Sequence, residues 1–100
     1  MSLHIFKAKS TSDGMLHIQM GFDSPMDWYF MTIFTMTDEG KAANLKWSNL
    51  DHDNPETLTL DFFERVLAEM GISVPNSNIE NIEQDRNSRR MNHRIEYHHV

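Results

Sequence analysis

The amino-acid sequence predicts an α+β fold in which two helices pack on one face of an antiparallel sheet of about five strands. Apolar residues recur at every second position in much of residues 2–48, which is typical of strands. The apolar period lengthens to that of a helix after residue 59, and alternation returns near the C-terminus. The predicted order is therefore ββββααβ, within a single domain that spans residues 1–100.

The first half of the chain is predicted to be a meander of four antiparallel strands. The first strand places Leu3 and Ile5 on one face and Phe6 on the other. The Asp13-Gly14 pair is a typical hairpin turn. Strict alternation then predicts a second strand, whose apolar positions are Leu16, Ile18, Met20 and Phe22.

The third strand is predicted to be apolar on both faces. One face carries Trp28, Phe30, Phe34 and Met36, and the other carries Tyr29, Met31 and Ile33. Two arrangements fit this pattern. Either other elements cover the strand on both sides, or one side is covered and the other exposes an apolar patch.

A hairpin loop over residues 37–41 leads to the fourth strand, in which Ala43, Leu45 and Trp47 alternate with polar residues. The following residues, 49–56, are polar and acidic, and they are predicted to connect the strands to the helices.

The first helix is predicted from the spacing of Phe62, Phe63, Val66, Leu67 and Met70. Thr59 is a suitable N-cap, and Gly71 suits the position past the C-terminus because glycine adopts positive φ without steric cost. A shorter second helix is predicted from the capping-box spacing of Ser77 and Glu80 to about Asn87. The final strand is predicted from the alternation of Met91, His93, Ile95, Tyr97 and His99.

Charge is distributed unevenly along the chain. The net charge is −6, and residues 51–85 hold nine carboxylates against Arg65 alone, a net of −8. These carboxylates either solvate the outer faces of the helices or form a docking surface for a basic protein. The candidate partner-binding residues are Asp51, Asp53, Glu56, Asp61, Glu64, Glu69, Glu80 and Glu83.

The composition argues against several other classes of function. The acid excess disfavours binding of nucleic acid through phosphate neutralisation, although Arg86, Arg89, Arg90 and Arg94 form a small basic cluster. The chain has no cysteine, which suits a reducing cytoplasm. The longest apolar stretch is about half of what a membrane-spanning helix needs, and the first nine residues lack the apolar run of a signal peptide. We therefore expect a cytoplasmic protein with no membrane association.

Motifs for catalysis or metal binding are absent from the sequence. There is no HExxH, no G-x-S-x-G and no glycine-rich phosphate loop. The histidines are interpreted as surface or edge residues, with metal binding left open for His4, His17, His93, His98 and His99. We therefore expect no catalytic residues, no metal and no cofactor.

Three functions stay open on these grounds. The first is an acidic module that docks on a basic toxin or nuclease, since size, acidity and predicted fold are similar in type to bacterial immunity proteins and phage-encoded inhibitors. The second is a small enzyme or ligand-binding protein with a site near Asp51, His52 and Asp53, completed by His93 and Tyr97. The third is a homodimer or larger homo-oligomer that pairs through its sheet, which the doubly apolar third strand would favour.

Overall fold

A computed structural model describes residues 2–11, 14–23, 28–74, 76–88 and 93–96. Its strands are β1 (Ser2–Lys9), β2 (Met15–Asp23), β3 (Trp28–Met36), β4 (Ala42–Ser48) and β5 (His93–Glu96). Its helices are α1 (Leu60–Glu69) and α2 (Asn76–Ser88), and two short 3₁₀ turns precede them at Asn49–Asp51 and Pro55–Thr57. The α+β class is confirmed. Neither helix in these ranges combines the length and the apolarity needed to cross a bilayer.

The sheet has the strand order β4-β3-β2-β1-β5. The first four strands are antiparallel neighbours, as predicted. β5 instead runs parallel to β1, from the pairing of Ser2 with His93 to that of Ile5 with Glu96. The prediction of a wholly antiparallel sheet is therefore wrong for β5. β4 ends at the end of the sheet where β1 begins. The two helices then bring the chain back to that same end, so β5 starts there and runs parallel to β1.

One face of the sheet is covered by the two helices, which we call the helix layer. Buried strand residues on this face form one cluster with residues of α1 and α2. The strand residues include Phe6, Leu16, Ile18, Met20, Met31 and Ile33, and the helix residues include Leu60, Phe63, Leu67, Ile79 and Ile82. Because strand side chains alternate, the opposite face carries the intervening residues. We call it the open face.

The predicted ends of α1 are confirmed. The Thr59 side chain accepts a hydrogen bond from the Phe62 backbone N–H at 3.2 Å. Gly71 follows the helix with φ of +79°. α2 begins at Asn76, so Ser77 lies inside its first turn, and the prediction of Ser77 as the N-cap is wrong.

The connector after β4 is partly buried, because Asn49 fills a gap in the sheet. β4 pairs with β3 only between Thr32 and Met36, so the Met31 N–H has no partner strand on that side. The Asn49 side-chain oxygen accepts a hydrogen bond from this N–H at 3.1 Å. Asn49 is consequently buried, whereas the sequence predicted a polar connector at this position.

Candidate functional site

Most of the predicted partner-binding carboxylates lie on the helix layer or on the connector that leads to it. Their side chains are exposed at Asp51, Asp53, Asp61, Glu69, Glu80 and Glu83, and half-buried at Glu64. The side chain of Glu56 lies outside the described part of the structure. Acidic groups are thus available to solvent over both helices.

Helical geometry explains why these groups point outward. α1 buries Leu60, Phe63 and Leu67 against the sheet, so Asp61 and Glu69 fall on its outer side. On α2, Ile79 and Ile82 are buried, and Glu80 and Glu83 occupy the outer side, one turn apart.

Two of these carboxylates, one from each helix, line the same cleft. Asp61 of α1 and Glu83 of α2 border a shallow space of about 200 Å³. We call it the acidic cleft. Its remaining lining residues are Tyr29, Thr59, Leu60 and Arg86. The Arg86 guanidinium carbon lies 5.7 Å from the centre of the Tyr29 ring, a cation–π arrangement that holds one cation beside the two carboxylates.

The helix layer carries less negative charge at its surface than the nine carboxylates of residues 51–85 suggest. Asp85 is buried and only 1% exposed, so it adds little charge to the surface. Arg65 is exposed on α1, one turn from both Asp61 and Glu69. Arg86 lines the acidic cleft itself. The helix layer is acidic, with two arginines set among its carboxylates.

Asp85 pairs with a histidine in the core. The His4 Nε2 atom lies 2.5 Å from the Asp85 Oδ2 atom, and both side chains are buried. The interpretation of His4 as a surface or edge residue is therefore wrong. The sequence did contain a signal for this pair: His4 shares the alternation of Phe6, and Asp85 lies three residues after Ile82 on the buried stripe of α2.

The second candidate site, around Asp51, His52 and Asp53, is not assembled in the described structure. Asp51 and Asp53 are exposed, and the half-buried His52 ring packs 5.3 Å from Trp47 and 5.5 Å from Phe62. His52 is thus part of an aromatic cluster.

The residues expected to complete that second site do not join it. The backbone of His93 lies on β5, four strand positions from β4, or roughly 19 Å away. Tyr97 lies outside the described residues. In the same described part of the chain, no three histidine or acidic side chains come together where they could hold a metal ion. His98 and His99 lie outside it.

The open face presents the apolar side of β3. Met31 and Ile33 are buried under the helix layer, whereas Trp28, Phe30 and Phe34 on the opposite face are only half-buried. Among the described residues, these three side chains stay part-exposed, which fits the second of the two arrangements predicted for this strand, while Ile5 on the same face is buried.

The open face has further apolar groups and a concave region. Leu45 is 55% exposed, and Leu50, beside the end of β4, is 66% exposed. A mainly apolar cleft of about 270 Å³ lies at one end of this face. It is lined by Asp23, Trp28, Phe30, Thr32, Asn49 and Leu50.

The chain matches no protein-family model, no curated protein and no solved structure.

Proposed function

We propose that the protein is a non-catalytic binding module whose helix layer docks on a basic protein, as an inhibitor or immunity-type protein docks on a toxin or nuclease. The acidic cleft carries this proposal, because Asp61 and Glu83 come from different helices and flank one concave space. Cysteine is absent from the chain, and we place the interaction in the cytoplasm.

The physics of such a surface favours fast and selective association. Exposed carboxylates attract a cationic partner over distances of about 10 Å at moderate ionic strength. They also repel acidic competitors, so they add more to association rate and selectivity than to affinity. A lysine or arginine side chain of the partner would enter the acidic cleft between Asp61 and Glu83.

Arg86 would contribute to selectivity in this arrangement. Its guanidinium is held over Tyr29 at the cleft, so an incoming cation must align with the carboxylates and away from this arginine. A partner with one well-placed cation would therefore be preferred over a uniformly basic surface.

The proposal is tested by comparing capture of partners with two charge variants. Asp61→Asn with Glu83→Gln neutralises the acidic cleft with little change in shape. Asp38→Asn with Glu39→Gln, in the exposed β3–β4 loop, removes the same charge elsewhere and is the matched control. We expect a basic protein to be retained by the wild type and the control, and to be lost from the cleft variant.

Salt provides the second arm of this test. Association of the captured protein should slow steeply as ionic strength rises, because the attraction between exposed charges is screened. Equal capture by the cleft variant and the control, or association that does not depend on salt, would count against the acidic cleft.

A further inference from the structure

We infer that the open face is the interface for a second copy of this chain, which packs sheet against sheet in a two-fold dimer. This surface lies on the side of the sheet opposite the helix layer. The inference therefore goes beyond the proposed docking function and does not depend on it.

The first argument is the apolar character of the open face. Trp28, Phe30, Phe34 and Met36 lie along it, with Thr32 between Phe30 and Phe34, and keep part of their surface exposed. Leu45, on the neighbouring strand and paired with Phe34, is more than half exposed. A contiguous apolar patch of this kind is typical of an interaction surface, and aromatic and methionine side chains are enriched at such surfaces.

The second argument is area. Strands β1–β4 at about 4.8 Å spacing, each up to nine residues long, give a face of about 19 by 30 Å, or about 570 Å² in projection. Two such faces cover about 1,100 Å² in projection, and the relief of the side chains adds to this. This area lies close to the lower limit of the roughly 1,200–2,000 Å² that stable protein interfaces bury.

The third argument is charge, which identifies the second copy as the occupant. On β1–β3, the charged side chains of the open face lie at its two ends. Lys7 and Lys9 stand at one end, where Lys9 pairs with Met15. Asp23 stands at the other end, eight residues further along β2, or roughly 27 Å away.

A two-fold axis that runs midway between the two open faces, parallel to the sheets and perpendicular to the strands, reverses the strands of the second copy. It brings Asp23 of each copy to the lysine end of the other, and symmetry forms this contact twice. The charged side chains of β1–β3 on the open face are thus complementary to those of a second copy. The helix layer is not complementary to itself, because it would set carboxylates against carboxylates.

The dimer is tested by sedimentation velocity on the full chain over a range of about 1–100 µM, which brackets weak to moderate self-association. We expect the wild type to sediment as a dimer at the upper end. Leu45→Glu places a charge on the exposed part of the open face and should produce a monomer. Ala68→Glu, at an exposed position on α1, is the matched control and should stay dimeric.

Charge reversal tests the two-fold arrangement without altering the apolar patch. Lys9→Glu and Asp23→Lys should each weaken the dimer about tenfold or more, since each sets like charges together at both ends. The double variant should recover most of the wild-type affinity. A wild type that is monomeric throughout, a dimeric Leu45→Glu variant, or a double variant no tighter than the single ones would overturn the inference.

Discussion

His4 and Asp85 meet in the core although 81 positions separate them in the sequence. Burying a carboxylate is costly unless it is paired, and here the His4 ring supplies a partner at 2.5 Å. The pair joins β1 to α2 across the core.

Removal of either member of this pair should be costly. His4→Ala or Asp85→Ala leaves the other group buried without its partner, and we expect a loss of about 3–5 kcal/mol in the free energy of unfolding. Urea denaturation followed by circular dichroism measures this loss. The double variant His4→Leu with Asp85→Leu should lose much less than either single variant, because no buried charge is left. Single variants that unfold like the wild type would contradict the role of the pair.

Asn49 is a second residue whose effect extends beyond its neighbours in the sequence. Its side-chain oxygen supplies the acceptor for Met31 N–H, while its own Nδ2 atom is buried without a partner among the described residues. Asn49→Ala should therefore destabilise the fold by about 1–3 kcal/mol through the orphaned backbone donor. Asn44→Ala, at an exposed position on β4, is the control and should have little effect in the same urea measurement. Equal effects of the two variants would show that the Asn49 bond adds nothing to stability.

At the level of elements, the end of α1 is bound to the β1–β2 loop. The Thr11 N–H donates a hydrogen bond to the Met70 carbonyl at 3.0 Å. Gly71 lies beside this contact, and a Cβ atom there would overlap with Thr11 Cγ2. Gly71 therefore permits both a left-handed backbone and the close approach of the loop.

Substitution of the three glycines with positive φ can separate the cost of the left-handed backbone from the steric clash with Thr11. Gly14→Ala and Gly40→Ala carry only the backbone cost of about 1–2 kcal/mol, because no described residue lies within 4 Å of the added methyl. Gly71→Ala should cost more, since it adds the clash with Thr11. Thr11→Ser removes the clashing methyl, so the double variant Gly71→Ala with Thr11→Ser should recover the steric part. Thermal unfolding of the four variants gives the comparison, and equal losses at all three glycines would disprove the clash.

Periodicity predicts the strands and helices in which burial of one face leaves a regular pattern in the local sequence. Strict alternation from Leu16 to Phe22 and the stripe of Phe63 and Leu67 are consequences of burial on one face, so they can be read from the sequence. The direction of β5 depends on where the chain returns after α2, and no residue pattern encodes that. The burial of Asn49 could not be predicted for a similar reason. Its partner, the Met31 N–H, lies beyond the point where β4 stops pairing with β3.

The candidate site was predictable only in part. The outward carboxylates of α1 and α2 followed from helical spacing, because the opposite stripe is apolar. The position of the two helices on the sheet determines that Asp61 and Glu83 share a cleft. It also determines that Asp85 is buried. Such tertiary arrangements are set by packing across the whole core, not by spacing along one helix.

At the level of the whole molecule, the two sides of the sheet differ in chemistry. The helix layer carries exposed carboxylates, while all four lysines of the chain lie in its first 47 residues, among the strands and hairpin loops. Because the helix layer and the open face lie on opposite sides of the sheet, the protein can bind a basic partner and a second copy at the same time. In a dimer that packs sheet to sheet, the two acidic clefts face away from each other.

This arrangement predicts the composition of the complex with the basic partner that capture identifies. We expect two copies of the chain with two partner molecules, with equal and independent sites, because each acidic cleft is complete within one copy. Light scattering after size exclusion gives the mass, and titration calorimetry gives the affinity per site. Leu45→Glu should convert the complex to one copy with one partner while the affinity per site changes by less than about twofold, or about 0.4 kcal/mol. A large loss of affinity in this variant would instead place the partner on the open face, and a wild-type complex of one copy with one partner would exclude the dimer as the functional state.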